Sequence, residues 1–247
     1  MLEKYAEALI RLPQKDKYEK TDLLIPTFKL DTEKSLDIYY APHNEIVNLE
    51  AKIFIVGITP GWNQMNRAYQ MARTGLIEQW DYEMIKRECK KAARFAGSMR
   101  NNLIDMLNQL QLQKALAISS CAQLFSDYDG LLHTTSLVPY PVFNKGKNYT
   151  GTHPSILNSA LLTRYVQTYF YKEVQLFSDV LIIPLGKAVE EVLLKMIEEG
   201  YLTSQQCLLG FPHPSGANGH RQKQFLQEKK QLEAKIKSFF DNSLDTL

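Results

Sequence analysis

Four short runs rich in apolar and β-branched residues punctuate this chain, at Ile53–Val56 and at about 131–137, 180–185 and 207–211. Runs of this kind, closed by Gly, Pro or small polar residues, predict strands buried on both faces, because a half-buried strand would alternate with polar positions. Between them the period lengthens to that of a helix. Helices are predicted at about 82–95 and 100–112, then 156–177, then 187–199. A charged amphipathic helix at 221–240 turns Phe225, Leu232, Ile236 and Phe239 or Phe240 inward. Ahead of the first strand, Leu2, Tyr5, Ala6, Leu9 and Ile10 recur at helical spacing until Pro13 stops them. From there to residue 50 the chain reads as mostly irregular, with one short extended piece at 36–40, and is expected to form a packing collar.

Strands alternating with helices of this length build right-handed β-α-β units. The expected fold class is α/β, a three-layer α/β/α sandwich around a central four-stranded parallel sheet. Residues 1–247 are expected to form one domain, with the collar at 1–50 and the α/β core at 51–240. No internal repeat interrupts this order.

Composition narrows the class less than pattern does. A net charge of +2 with 23% charged residues neither demands nor excludes a nucleic-acid partner. The three cysteines, Cys89, Cys121 and Cys207, lie far apart, which argues against a disulfide framework or a thiolate metal site and for a reducing cytoplasm. No run approaches the roughly 18 apolar residues of a membrane span, and the start carries no basic flank leading into an apolar stretch, so a cytoplasmic protein is expected. The phosphate-binding P-loop and the Gly-x-Gly-x-x-Gly pattern are absent, and no cofactor is expected. His213 and His220 lack helical ligand spacing and no acidic cluster accompanies them, so no metal is expected either. A cysteine hydrolase is disfavoured, since Cys207 starts its strand rather than ending it.

In an open parallel sheet, ligands gather beyond the carboxyl ends of the strands. There the first strand gives Gly57-Ile58-Thr59-Pro60-Gly61-Trp62, the second gives His133-Thr134-Thr135-Ser136 and a long loop to His153, and the fourth gives Pro212-His213-Pro214-Ser215-Gly216-Ala217-Asn218. The third, ending in Pro184-Leu185-Gly186, reads as a plain turn into the next helix. The first and last of these loops resemble the two motifs of the uracil-DNA glycosylase superfamily, a Gly-x-x-Pro-Gly loop and a His-Pro-Ser loop, in the right order and strand context. The stretch from Tyr39-Tyr40-Ala41-Pro42 onward is also similar to bacterial proteins assigned to that superfamily without a defined activity.

The resemblance implies a monofunctional DNA glycosylase of base excision repair, acting on uracil or another deaminated or modified base, as a monomer without cofactor. Breaking such a bond builds positive charge on the sugar and negative charge on the departing base. The resemblance makes His213 the donor to that base and Thr59 the residue that handles water. Thr59 departs from the Asp, Asn or Glu usual in the family, and a hydroxyl is a poor general base. Gly57, Ile58, Pro60 and Gly61 would allow close approach of a flipped nucleotide. Trp62 reads either as a surface on which a base stacks or as a core anchor, with Tyr140 and Phe143 as rivals for the stacking. The family's base-reading Asn is missing, leaving His133 or Thr135 to donate and accept in its place. Ser215, Gly216, Asn218 and Arg221 would hold a phosphate. Ala217 and Asn218 are too small or polar for a duplex wedge, which points to single-stranded DNA or nucleotides as partners. Lys145, Lys147 and the basic positions from Lys86 to Arg94 are candidates for an electrostatic track. The alternatives are a binding protein that keeps this pocket without hydrolysis, sensing a modified base, and a glycosylase of free nucleosides.

Overall fold

Successive residues of the first predicted strand go to opposite sides of the molecule. Ile53 and Ile55 pack in one hydrophobic cluster and Phe54 and Val56 in another, and all four are fully buried. The pattern continues across the sheet, where Leu181 and Ile183 join the former cluster and Ile182 the latter. A strand with this residue order needs cover on both faces, and helices supply it.

The computed structural model describes residues 1–95 and 97–244; Ala96 and 245–247, which the one-domain expectation includes, lie outside the described residues. Its strands in chain order are β1 (Lys29–Glu33), β2 (Leu36–Tyr39), β3 (Ile53–Gly57), β4 (Leu132–Ser136), β5 (Val142–Asn144), β6 (Lys147–Asn148) and β7 (Leu181–Pro184). The α-helices are α1 (Leu2–Ile10), α2 (Lys20–Leu23), α3 (Trp62–Ile77), α4 (Tyr82–Ala93), α5 (Gly97–Gln109), α6 (Leu112–Ala115), α7 (Ala160–Tyr165), α8 (Tyr171–Val174), α9 (Lys187–Glu198) and α10 (Arg221–Leu244). A π-helical stretch, Val166–Phe170, joins α7 to α8. Buried residues of α3, α4, α7, α8 and α9 pack with Phe54 and Val56, and those of α5, α6 and α10 with Ile53 and Ile55. No helix among the described residues is long and apolar enough to cross a membrane.

Three expectations need correction. The parallel sheet has three strands in the order β4-β3-β7, not four. The fourth run touches β7 through a single parallel bridge, Ile182 to Cys207, with the Leu208 amide donating to the Ile182 carbonyl. A longer ladder fails for identifiable reasons: Pro184 and Pro212 offer no N–H, and Gly210 turns the chain at φ +88 while its amide donates to Glu190. The collar is not mostly irregular, because β1 and β2 form an antiparallel sheet with β5 and β6 from the loop after β4. Pairing of Leu36 with Asn144 and Ile38 with Val142 ties that long loop to the collar. Finally, α3 was not anticipated. It lies so close to α4 that a Cβ on Gly75 would sit 2.7 Å from Ile85 and 2.8 Å from Trp80.

Candidate functional site

The β3, β4 and His213 loops close around a cavity of about 460 Å³ at the carboxyl ends of the parallel strands. That volume suits one nucleotide-sized ligand. A larger cavity of about 1170 Å³ lies at the opposite end of the strands, between Lys52, Leu131, Asp179 and the last turns of α10. The smaller one is the candidate site, because it alone gathers the chemistry-bearing loops.

Of the residues expected there, Gly57, Ile58, Thr59, Gly61, Thr135, Ser215, Asn218 and His213 line the cavity, with Ala217. Pro60, Trp62, His133, Tyr140, Phe143, Gly216 and Arg221 do not. Trp62 starts α3, packs edge-on to Phe143 at 6.4 Å between centroids, and belongs to the core margin rather than to a stacking surface. Phe143 and Tyr140 are themselves buried, Tyr140 amid Tyr40, Tyr165 and Tyr169. His133 lies behind the cavity wall: its Nε2 donates to Glu173 at 2.7 Å and its ring stacks on Phe177. Thr135, one pleat on, donates to the other Glu173 oxygen at 3.0 Å.

Thr59 faces the cavity with its hydroxyl already committed. It donates to the Tyr140 carbonyl at 2.7 Å and accepts from the Val142 amide at 3.1 Å, bracing the β3 loop against the loop after β4. Replacing it with valine is therefore expected to cost about 1–3 kcal/mol of stability by stranding both backbone groups, whereas Thr59→Ser is tolerated. Equal urea midpoints for the two variants would remove the bracing role.

The phosphate cradle expected after His213 is also largely used internally. The Ser215 amide donates to His213 Nδ1, that of Ala217 to Ser215 Oγ, and that of Asn218 to the Ser215 carbonyl, while Arg221 Nη1 donates to the same carbonyl at 3.0 Å. These bonds, with Asn102 donating to the Pro214 carbonyl at 2.9 Å, fix the loop. His213 is consequently held in one tautomer. Its Nδ1 accepts at 3.2 Å from the Ser215 amide, so a neutral ring carries its proton on Nε2, and burial lowers the pKa and favours that neutral ring.

Gly186, expected to serve only a turn, sets the approach to His213. It lies at φ +87, and a Cβ there would come 2.8 Å from the His213 Cβ and 3.3 Å from its amide. Gly186→Ala is expected to destabilise the protein by about 1–2 kcal/mol and to displace His213; an unshifted His213 ring resonance would refute the coupling.

Sequence reasoning missed His43, Asn44 and Gln64, which form the other wall with Lys90 and Arg94 of the α4 end. The Lys90 ammonium is almost fully buried and donates to the Ile46 carbonyl at 3.1 Å; burial, aided by Arg94 and opposed by Glu173, brings its pKa down to about 8. Among the described residues, the lining holds two cationic side chains and no carboxylate. Of the supposed track, Lys86 is paired with Glu3 and Glu83, Lys91 with Glu88, and Arg94, itself in the cavity wall, with Asp129.

Burial, with the Lys90 charge, also pushes His43 down to about 3, and pushes His133 down to about 4 against the pull of Glu173. Groups with depressed pKa values add stability that is complete above their ordinary value of 6.5 and lost as pH falls through the folded values. The urea midpoint is expected to hold between about pH 8 and 7 and to drop already between about 6.5 and 5, before carboxylates titrate. A flat midpoint over that range would contradict it.

Comparison with known proteins places a close relative beside this chain. It is 46% identical over 239 residues to the uncharacterized protein YoxB of Bacillus subtilis strain 168, covering 96% of this chain and 93% of the relative. No family model matches. The crystal structure of wild-type Pedobacter heparinus SMUG2 aligns over 94% of this chain and 97% of that one at 14% identity, with a TM-score of 0.45, a likeness too low to establish a common fold.

Proposed function

The chain belongs to one family with YoxB, and for this member we propose a glycosylase-like activity, hydrolysis of the N-glycosidic bond of uracil or another deaminated or modified base in DNA. The observation that carries the reading is His213, a half-buried ring whose Nδ1 is occupied and whose Nε2–H is a free donor, among the described residues, in a cavity walled by Lys90 and Arg94. As the bond breaks, its electron pair goes to the base, and such a wall stabilises the resulting anion. The sugar is left as an oxocarbenium-like cation. Water adds to that centre with little help from a base, so a site without a lining carboxylate remains chemically coherent. Thr59 then acts as a brace for the loop rather than as an activator of water. The small and polar Ala217 and Asn218 favour single strands over duplex.

Base release from single- and double-stranded oligonucleotides carrying uracil, hypoxanthine, xanthine or hydroxymethyluracil tests the proposal, with free base as the product scored. A second reading, binding of a modified base without hydrolysis, is favoured by the same missing carboxylate. Retained binding with no release would establish it and sink the hydrolytic one.

A further inference from the structure

We infer that His43, contributed by the N-terminal segment, is a specificity-determining residue of this pocket that accepts a hydrogen bond from a ring N–H of the bound base. The inference rests on the nucleobase reading of the cavity and names one contact within it.

His43 sits in a short Pro42–Asn44 helical turn that α4 overlies. It is 3% exposed, lines the cavity, and neither ring nitrogen has a hydrogen-bond partner among the described residues. A buried polar group without a partner costs stability, and an imidazole kept only for packing would be replaced at no loss by an apolar side chain of similar size. Its neighbours explain why it persists. Lys90 and Arg94 offer only donors, and His213 offers its Nε2–H. Of the buried lining groups, Thr135 already donates to Glu173. A ligand that presents oxygen acceptors to the cations still has a ring N–H to satisfy, and a bare nitrogen of a neutral His43 is an acceptor on this wall, beside the amide oxygen of Asn44, whose NH2 is spent on the Pro139 carbonyl. Burial keeps that ring neutral near pH 7, as required.

The test uses the full chain and calorimetric or thermal-shift titration with free uracil, hypoxanthine and xanthine, each beside a counterpart methylated on a ring nitrogen. Wild-type protein is expected to bind at least one parent base and to bind its methylated counterpart at least about tenfold more weakly. His43→Leu is expected to lose about tenfold or more in affinity for the parent and to lose the discrimination, while the ligand-free protein melts at a higher temperature because two orphaned polar atoms are gone. His43→Gln, which keeps an acceptor, is expected to retain the discrimination. Equal affinity and equal discrimination in wild type and His43→Leu would overturn the assignment alone. Wild-type protein that binds none of the bases would instead overturn the nucleobase reading, and this contact with it.

Discussion

Replacing His213 with alanine is expected to raise the barrier to base release by about 2–4 kcal/mol, roughly thirty- to a thousandfold in rate, with little change in binding. The size follows from timing. A neutral Nε2–H interacts modestly with a carbonyl in the ground state and much more strongly with the same oxygen once the bond's electrons have moved to the base, so the loss falls on turnover. Its fixed tautomer sharpens the expectation, since the Ser215 amide at 3.2 Å from Nδ1 removes the need to reorganise the ring. His213→Asn retains a donor and is expected to recover part of the rate. A His213→Ala protein as fast as wild type, in an assay where chemistry limits turnover, would detach this histidine from the reaction.

The parts of the fold that could be read from sequence were those decided by local pattern. β3 and β7 are continuous apolar runs because both sheet faces are covered, and α9 and α10 announce themselves by apolar stripes. The antiparallel sheet was hidden by its composition. β1 is Lys-Leu-Asp-Thr-Glu, half solvated, and its stability comes from pairing β2, which in turn pairs β5 from a hundred residues further on. No local period encodes such a partner. α3 has apolar positions at Met65, Ala68, Tyr69 and Ala72, but a polar start and an internal glycine obscured them until the packing of Gly75 against Ile85 was visible.

The site divides in the same way. His213 and the Gly57 loop were legible because glycine and proline in a fixed order after a strand leave few conformations. Aromatic type alone could not decide the role of Trp62, Tyr140 and Phe143, since stacking surface and core anchor share one composition and differ only in exposure. His43 carried no signal at all. A histidine in a Pro-His-Asn turn acquires meaning only when Lys90, from another element, closes over it.

The largest loss of stability from a single change at the site is expected at Glu173, which no motif contains. Its two oxygens accept from His133 at 2.7 Å and from Thr135 at 3.0 Å, and its charge opposes the burial that weakens the Lys90 ammonium. Glu173→Ala strands two buried donors and leaves Lys90 without that compensation, so a cost of about 3–5 kcal/mol is expected in urea unfolding. Glu173→Gln keeps an acceptor for His133 and an amide that Thr135 can turn to meet, and should cost only about 1–2 kcal/mol. That remainder is electrostatic. Adding Lys90→Met to Glu173→Gln should therefore recover stability, and the double-mutant cycle should show coupling above about 0.5 kcal/mol. Additive losses would mean that the β4 layer separates the two charges, and that the cation facing the cavity is held by the Ile46 carbonyl alone. Coupling would mean that the cationic wall of the cavity is itself held in place from behind the sheet, through Glu173, which does not line the cavity.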